Sequence, residues 1–396
     1  MKRLEFLAAS AAFAAVPPGQ PYPVVTPIPP NPLPGYNSPF LPQLTIGVNV
    51  TLSGELAPYG QQVVAGVQAA VDEQNHFNAP IGHVWGLRAY DDRNDPAQAG
   101  ANVQIAAADS TVVGIVGNLT APMTLAALSR YANVGFAVAV PTVTADAITK
   151  RGYFNIFRLP ASDTAAGGLF AGVALTKKGV PALAVALDED YGYDVARGFV
   201  QAAKTNGHPA DVLLFPKDNS VDPASAAKTV LDRRPEYVFL AGKTAQLGPI
   251  AEAMQLAGYT GEFGASDGFY NQQTIDRYAK ILNGALVASP MPPLDKVPTA
   301  LQLLGDFLKE VGQITPFSAF GYGAAQLLIV AAQAASATTR ATLLSTLQHG
   351  GTYTTLVGQF RFNLNGDPQI PNIYLYKVES GTFTFARPAV YTGFVL

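Results

Sequence analysis

The stretch GIVGNLTAPMTLAALSRYANVGFAVAVPTVT, Gly114–Thr144, decides how the rest of the chain is read. It divides into an apolar run ending at Val116, a polar turn, a helical pattern, a second apolar run from Phe136 to Val140, and a polar turn at Thr142 to Thr144. Strand, helix and strand in that order form the βαβ unit of an open parallel sheet. Both polar turns then fall at the carboxyl ends of strands, the edge where such sheets bind small ligands. In the first turn Thr120 or Ala121 is the predicted N-cap, and Pro122 sits in the first helical turn, where its missing N–H costs nothing. Free amides and the helix dipole at that point favour a carboxylate or a phosphate. Thr142 and Thr144 add hydroxyls from the neighbouring strand end. Taken one at a time, these threonines read more readily as plain turn and cap residues.

The same alternation extends in both directions. Leu44 to Val50 reads as a buried strand, and Val63, Val64, Val67, Ala70 and Val71 line one face of a helix over 60–77. The loop TLSGELAPYG between them places Tyr59 at the carboxyl edge. A strand at 87–90 leads to Asp95-Pro96, an N-cap and first-turn pair for a helix over 96–108. The acidic run Asp91, Asp92, Asp95 lacks the glycine and distal glutamate of a calcium loop, so it reads as turn and cap residues. After Tyr153 to Arg158 and a Gly/Ala-rich helix over 162–177, strands at 182–187, 212–215, 237–240 and 262–265 alternate with helices at 194–205, 223–231 and 246–256. Two such series imply two doubly wound parallel sheets, hence two similar α/β lobes. Beyond Ala285, helices over 299–311, 318–337 and 340–348 and strands at 358–362 and 373–378 complete both lobes. The apolar run at 327–332 is bounded by Gln326 and Gln333 and reads as a core helix and no membrane span.

The chain has 396 residues, enough for two or three domains with substantial cores. A net charge of -3 with 13% charged residues offers no basic stripe for a nucleic acid. Residues 1–15, MKRLEFLAASAAFAA, have the layout of a secretory signal peptide with small residues for cleavage near Ala14 or Ala15. Residues 16–42 follow as a proline-rich linker, with eleven prolines between positions 17 and 42, predicted to be an extended spacer. Cysteine is absent, so neither disulfides nor a lipid-bearing amino-terminal cysteine are expected, which fits a freely soluble periplasmic protein. The four histidines, His76, His83, His208 and His349, show no metal spacing, and no Walker or dinucleotide fingerprint occurs. No metal or cofactor is expected.

From Leu44 onward the chain resembles the periplasmic branched-chain amino-acid binding proteins, the type I solute-binding proteins of ABC importers. The motifs that carry the resemblance are LSGELAPYGQQ (52–62), YDDRNDPAQA (90–99), VGNLTAPMT (116–124), VPTVTADAITKRGY (140–153), DEDYGYDVARGF (188–199) and AGKTAQLGPIAEAMQLAGY (241–259), in that order across about 350 residues. The resemblance implies two lobes, at 43–160 with 288–370 and at 161–287 with 371–396, joined by a three-strand hinge. Ligand would be trapped by closure of the lobes and delivered to an ABC permease in the inner membrane, with the binding protein a monomer.

Position by position, the resemblance puts the pocket on the strand ends found above. Ala121 stands where the family commonly has a serine for the ligand carboxylate, which leaves only the backbone N–H. Thr142 aligns with a carbonyl contact to the ligand amine, Thr144 with a hydroxyl touching carboxylate and amine, and Asp267 with an acid that pairs with the ammonium. Tyr59, Leu119, Thr120, Tyr191 and Phe317 align with the walls around the ligand side chain. Lys243 replaces a frequent tyrosine. A lysine in a closing cleft must be paired or solvated, either with Asp267 or with a second acidic group on the ligand. The expected ligand is thus a small carboxylate, an amino acid or a related compound.

Two other functions compete. Gly264-Ala265-Ser266-Asp267-Gly268 fits the G-x-S-x-G pattern of a serine hydrolase after a strand, and His349-Gly350-Gly351 resembles an oxyanion motif, but it follows the elbow where it should precede it. The fold also serves ligand-sensing receptors, which would need a separate signalling partner.

Overall fold

The computed structural model describes residues 43–77, 83–187, 190–218, 220–294 and 314–390. The expected leader at 1–15, the proline-rich segment at 16–42 and the expected helix at 299–311 lie outside them. Chain contacts divide the protein into two units. The first holds the chain up to Val143 with Ile148–Leu159 and Leu294–Gly366, and the second holds Thr144–Ala147, Pro160–Pro293 and the chain from Asp367.

The first unit is built on β1 (Gln43–Val50), β2 (Val84–Asp91), β3 (Val112–Gly117), β4 (Ala137–Val140) and β5 (Ile156–Arg158), all parallel in the order β2-β1-β3-β4-β5. The crossovers are α1 (Ala57–Phe77), α2 (Pro96–Ala108) and α3 (Ala121–Val134). β1 and β3 are almost wholly buried, as strands covered on both faces must be. Strand order reverses between β1 and β3, which makes their carboxyl ends the unit's switch point. The second unit repeats the plan with β6 (Ala182–Leu187), β7 (Ala210–Phe215), β8 (Tyr237–Ala241), β9 (Glu262–Ala265) and β10 (Leu286–Ser289), linked by α4 (Asp163–Ala174), α5 (Asp190–Thr205), α6 (Pro223–Leu231), α7 (Thr244–Leu256) and α8 (Gln272–Tyr278). Its switch point lies between β6 and β8.

The second sheet shows how sequence alternation becomes two cores. Along β6, Leu183, Val185 and Leu187 face one cluster, with Val230, Leu247, Ile250 and Met254 from α6 and α7. Ala182, Ala184 and Ala186 face the other. The small alanines leave room for Phe170, Phe199 and Phe239, with Phe199 stacked on Phe239 at 4.5 Å between ring centroids.

Expectation and structure differ at the carboxyl-terminal elements. β13 (Asn372–Glu379) runs antiparallel to β10, and β14 (Thr382–Val390) pairs antiparallel with β13, so the second sheet is parallel with an antiparallel edge. In the first unit the two helices expected at 318–337 and 340–348 form as α9 (Pro316–Ala334) and α10 (Arg340–His349), and the strand expected at 358–362 is shorter, β12 (Gly358–Phe360), in a hairpin with an unpredicted β11 (Tyr353–Thr355). α9 is long and apolar enough to cross a membrane by composition, but 72% of its apolar stretch is buried inside the protein.

Arg340, at the start of α10, binds the end of α2. Its Nη2 donates to the carbonyls of Asp109 (2.7 Å), Ala107 (3.1 Å) and Ala106 (3.4 Å), its Nε to that of Val112 (2.8 Å), and its guanidinium lies 4.5 Å from the centre of the Phe136 ring. A cation here satisfies the last carbonyls of α2 and opposes its dipole. Arg340→Ala is expected to lower stability by about 2–3 kcal/mol, since hydrogen bonds to charged groups are the stronger ones. Arg340→Lys should recover less than half, because one ammonium cannot span both Val112 and Asp109. Thermal unfolding of the three proteins checks this.

Candidate functional site

At the switch point of the first unit, β3 ends at Gly117 and the chain passes through Asn118 and Leu119 to Thr120, the N-cap of α3. Thr120 makes no side-chain capping bond, and its Oγ1 is buried without a hydrogen-bond partner. The first amides of a helix have no partner within it, so this end keeps its N–H groups uncapped by a side chain. Ala121 is the first helical residue, and Pro122 follows it. From the end of β4, Thr142 Oγ1 donates to the Leu119 carbonyl at 2.8 Å and ties the two strand ends together. Tyr59, in the first turn of α1, is 43% exposed and packs on Phe317 in the first turn of α9, with ring centroids 4.8 Å apart. Thr315, the N-cap of α9, donates to Gln62 Oε1 at 2.5 Å and holds the two helix starts together.

Beneath that turn lies a buried polar chain that the sequence reading misses. Asn102 donates to Asn49 Oδ1 (2.9 Å), Asn49 to Tyr131 Oη (2.8 Å), Tyr131 to Asn118 Oδ1 (3.2 Å), and Asn118 to Asp92 Oδ2 (3.2 Å). Asp92 Oδ1 also accepts from Thr51 Oγ1 (2.6 Å) and the Asn94 amide (3.0 Å). Burial raises the Asp92 carboxyl above the usual aspartate range, and these bonds pull it back part of the way. The signal available in the sequence is Asn49 inside the apolar run LTIGVNV, since a buried amide demands a partner. Asp91 accepts from the Leu52 and Arg93 amides and Asp95 from the Ala97 amide, as turn and cap residues do, whereas Asp92, read the same way from sequence, also serves the buried chain through Thr51 and Asn118. Among the described residues no group of three or more His, Asp or Glu side chains is placed to hold a metal.

At the switch point of the second unit, Tyr191 enters from the first turn of α5, Lys243 from the end of β8 and Asp267 from the end of β9. Tyr191 Oη donates to Asp267 Oδ1 at 2.5 Å and accepts from the Gly268 amide at 3.0 Å. Burial, followed by the adjacent Asp267 charge, drives the Tyr191 phenol well above its usual range. Burial likewise raises the Asp267 carboxyl, against the lowering hydrogen bond from Tyr191. Lys243 is the N-cap of α7 and exposed, with its backbone carbonyl accepting from the amides of Gln246 and Leu247. A Cβ on Gly268 would lie 2.3 Å from the Gly242 carbonyl oxygen, so glycine lets the β8 and β9 ends meet. Thr144 groups with this unit, and its carbonyl accepts from the Asp163 amide at 2.9 Å.

Ser266 is no nucleophile elbow. It is buried, its hydroxyl donates to the Gly242 carbonyl (3.1 Å) and accepts from the Gly242 amide (3.0 Å), and Tyr191 Oη lies 3.0 Å away. Among the described residues no histidine is bonded to it. His349 Nδ1 pairs with the Ser345 carbonyl on its own helix.

Comparison with known proteins agrees with this architecture. The family model described as periplasmic binding protein matches residues 43–382. A Leu/Ile/Val-binding protein homolog of Brucella melitensis is 23% identical over 337 residues, covering 85% of this chain and 90% of its own. The solved ABC transporter substrate-binding protein of Desulfitobacterium hafniense, in complex with Leu, superposes with a TM-score of 0.73 at 22% identity, covering 87% of this chain and 100% of that one. A solute-binding protein of an R. palustris ABC transporter, in complex with benzoate, does so with a TM-score of 0.69 at 18% identity, covering 88% and 96%. The chain belongs to the periplasmic binding protein family.

Proposed function

We propose that this periplasmic binding protein captures a small carboxylate-bearing ligand, an amino acid or a related compound, by closure of its two units and delivers it to an ABC permease in the inner membrane. The observation that carries the reading is the start of α3, where uncapped amides stand beside the buried, unpartnered Thr120 hydroxyl at a topological switch point. Donors without acceptors favour a carboxylate there. Asp267, held by Tyr191 at the switch point of the second unit, is the acceptor for a ligand ammonium. Tyr59, Phe317 and Leu119 supply apolar wall, and Thr142 and Thr144 the remaining polar contacts. The ligands of two solved proteins of similar fold, Leu and benzoate, have a carboxylate in common and differ in the amine.

A thermal-shift screen of the protein against amino acids, dicarboxylates and aromatic acids tests the proposal. Ligand at a hundred times its dissociation constant stabilises by about 2.7 kcal/mol. A shift with amino acids supports the reading, and a shift with amine-free acids alone removes the ammonium role of Asp267. No shift with any carboxylate overturns it.

Lys243 is the residue expected to adjust selectivity. In Lys243→Tyr the affinity for L-glutamate relative to L-leucine should fall by roughly tenfold or more, the worth of one charge-assisted hydrogen bond. Calorimetric titration of both ligands reads the ratio. An unchanged ratio removes Lys243 from ligand selection.

A further inference from the structure

The buried polar chain under the β3–α3 turn has a direction. The bonds that link its members run one way, toward Asp92: Gln98 to Asn102, Asn102 to Asn49, Asn49 to Tyr131, Tyr131 to Asn118 and Asn118 to Asp92, while Asn49 and Asn102 also donate to the carbonyls of Ala99 and Asp91. Asn49, Asn102, Asn118, Tyr131 and Asp92 are all 3% exposed or less, so water does not mediate these contacts. An ionised carboxylate accepts and never donates. With Thr51 and the Asn94 amide on Oδ1, only Oδ2 is left for Asn118, and it compels the Asn118 amide to present its nitrogen. Asn118 must then turn its Oδ1 to Tyr131, whose hydroxyl can therefore accept from Asn49.

We infer that Asp92 is a positioning residue for the Leu119–Ala121 turn, acting through Asn118, whose amide orientation its carboxylate sets and whose oxygen in turn takes the Tyr131 proton. The inference rests on the reading of that turn as a ligand-binding half-site. Asn118 is the first residue beyond β3 and Thr120 the N-cap two residues later, so the orientation of the Asn118 side chain fixes where the turn leaves the sheet. In Asp92→Asn an amide nitrogen replaces Oδ2 and faces the Asn118 nitrogen, donor against donor. Rotating the Asn118 amide only moves the fault: its nitrogen then meets Tyr131, which already accepts from Asn49, and the phenol proton loses its acceptor. Exchanging the two side chains cures it. In Asp92→Asn/Asn118→Asp the new amide at position 92 keeps its oxygen toward Thr51 and Asn94 and donates to the new carboxylate at 118, whose second oxygen accepts from Tyr131.

The experiment compares the full-length wild type, Asp92→Asn and the exchanged double variant by hydrogen–deuterium exchange over residues 118–124 and by calorimetry with L-leucine and benzoate as probes. Asp92→Asn should speed exchange in that segment, and weaken whichever probe the wild type binds, by about tenfold or more. The exchanged variant should return both to within about threefold of wild type. If Asp92→Asn does not fold, a folded exchanged variant with wild-type exchange supports the inference equally. Wild-type exchange in Asp92→Asn overturns it, as does an exchanged variant no better than the single one, in exchange or in folding. If the exchange pattern is as expected but the wild type binds neither probe, the chain positions the turn and the carboxylate reading of the site is what fails.

Discussion

Gly66→Ala is expected to destabilise the first unit by about 3 kcal/mol, although alanine is the better helix former by roughly 0.5–1 kcal/mol. α1 and α9 cross at two glycines. A Cβ on Gly66 would stand 2.0 Å from the Ser318 carbonyl oxygen and 2.8 Å from the Tyr322 nitrogen, and one on Gly321 2.5 Å from the Val63 carbonyl oxygen. These are backbone atoms, which cannot rotate away as a side chain would, so the helices must separate. Separation also parts Tyr59 from Phe317, since both sit at the helix starts just beyond the crossing.

The second unit uses the same device. A Cβ on Gly167 of α4 would lie 2.0 Å from the Val195 carbonyl oxygen, and one on Gly198 of α5 2.1 Å from that of Thr164. A chain of two units need not unfold in one step, which makes the effect separable. Calorimetry should show the transition of the first unit lowered by roughly 10 °C in Gly66→Ala, with that of the second unchanged. Gly167→Ala should give the reverse. Gly172→Ala is the control: it lies on α4 with nothing within 4 Å of the place a methyl group would take, and there the propensity gain should appear alone. A Gly66→Ala protein as stable as the control would show that the crossing has slack.

The parallel strands and their crossover helices are legible in the sequence because each is a short apolar run closed by a turn signal. The helix over 96–108 can be read to its ends from Asp95-Pro96, and Asp95 does cap it. α5 begins at Asp190, earlier than the 194 expected, because Gly192 looks like a breaker in sequence. In the fold it lets the helix start press on β8, where a Cβ would meet the Ala241 carbonyl oxygen at 2.9 Å. β14 is hidden by Arg387 and Pro388 in an exposed edge strand, the place where proline is tolerated. At the site, strand-end positions are legible from topology, and Thr120 stands at the cap position as expected, but its side chain does not cap. The Asp92 chain is illegible: Asn49 and Tyr131 are 82 residues apart, and only the fold makes them neighbours.

Asp267→Asn should weaken L-leucine by at least about thirtyfold, since leaving a buried charge without its partner costs about 2–5 kcal/mol. Benzoate, which has no ammonium, should change little. The unliganded variant should be as stable as wild type or more so, and that follows from the sign of the shift. The Asp267 carboxyl is raised by burial, so the folded protein disfavours its ionised form, and at neutral pH removing the charge relieves a cost. Tyr191 can still donate to the remaining amide oxygen at position 267, which preserves the local geometry. The same shift sets a pH dependence. Capture of an ammonium requires the carboxylate, so affinity for L-leucine should fall as pH drops through a pKa above the ordinary 3.8, earlier than an exposed aspartate would allow. In Asp267→Asn that acid limb should vanish. Calorimetric titration of L-leucine and benzoate across the acid range reads both effects together, and an acid limb that survives in the variant would assign the ammonium to another group.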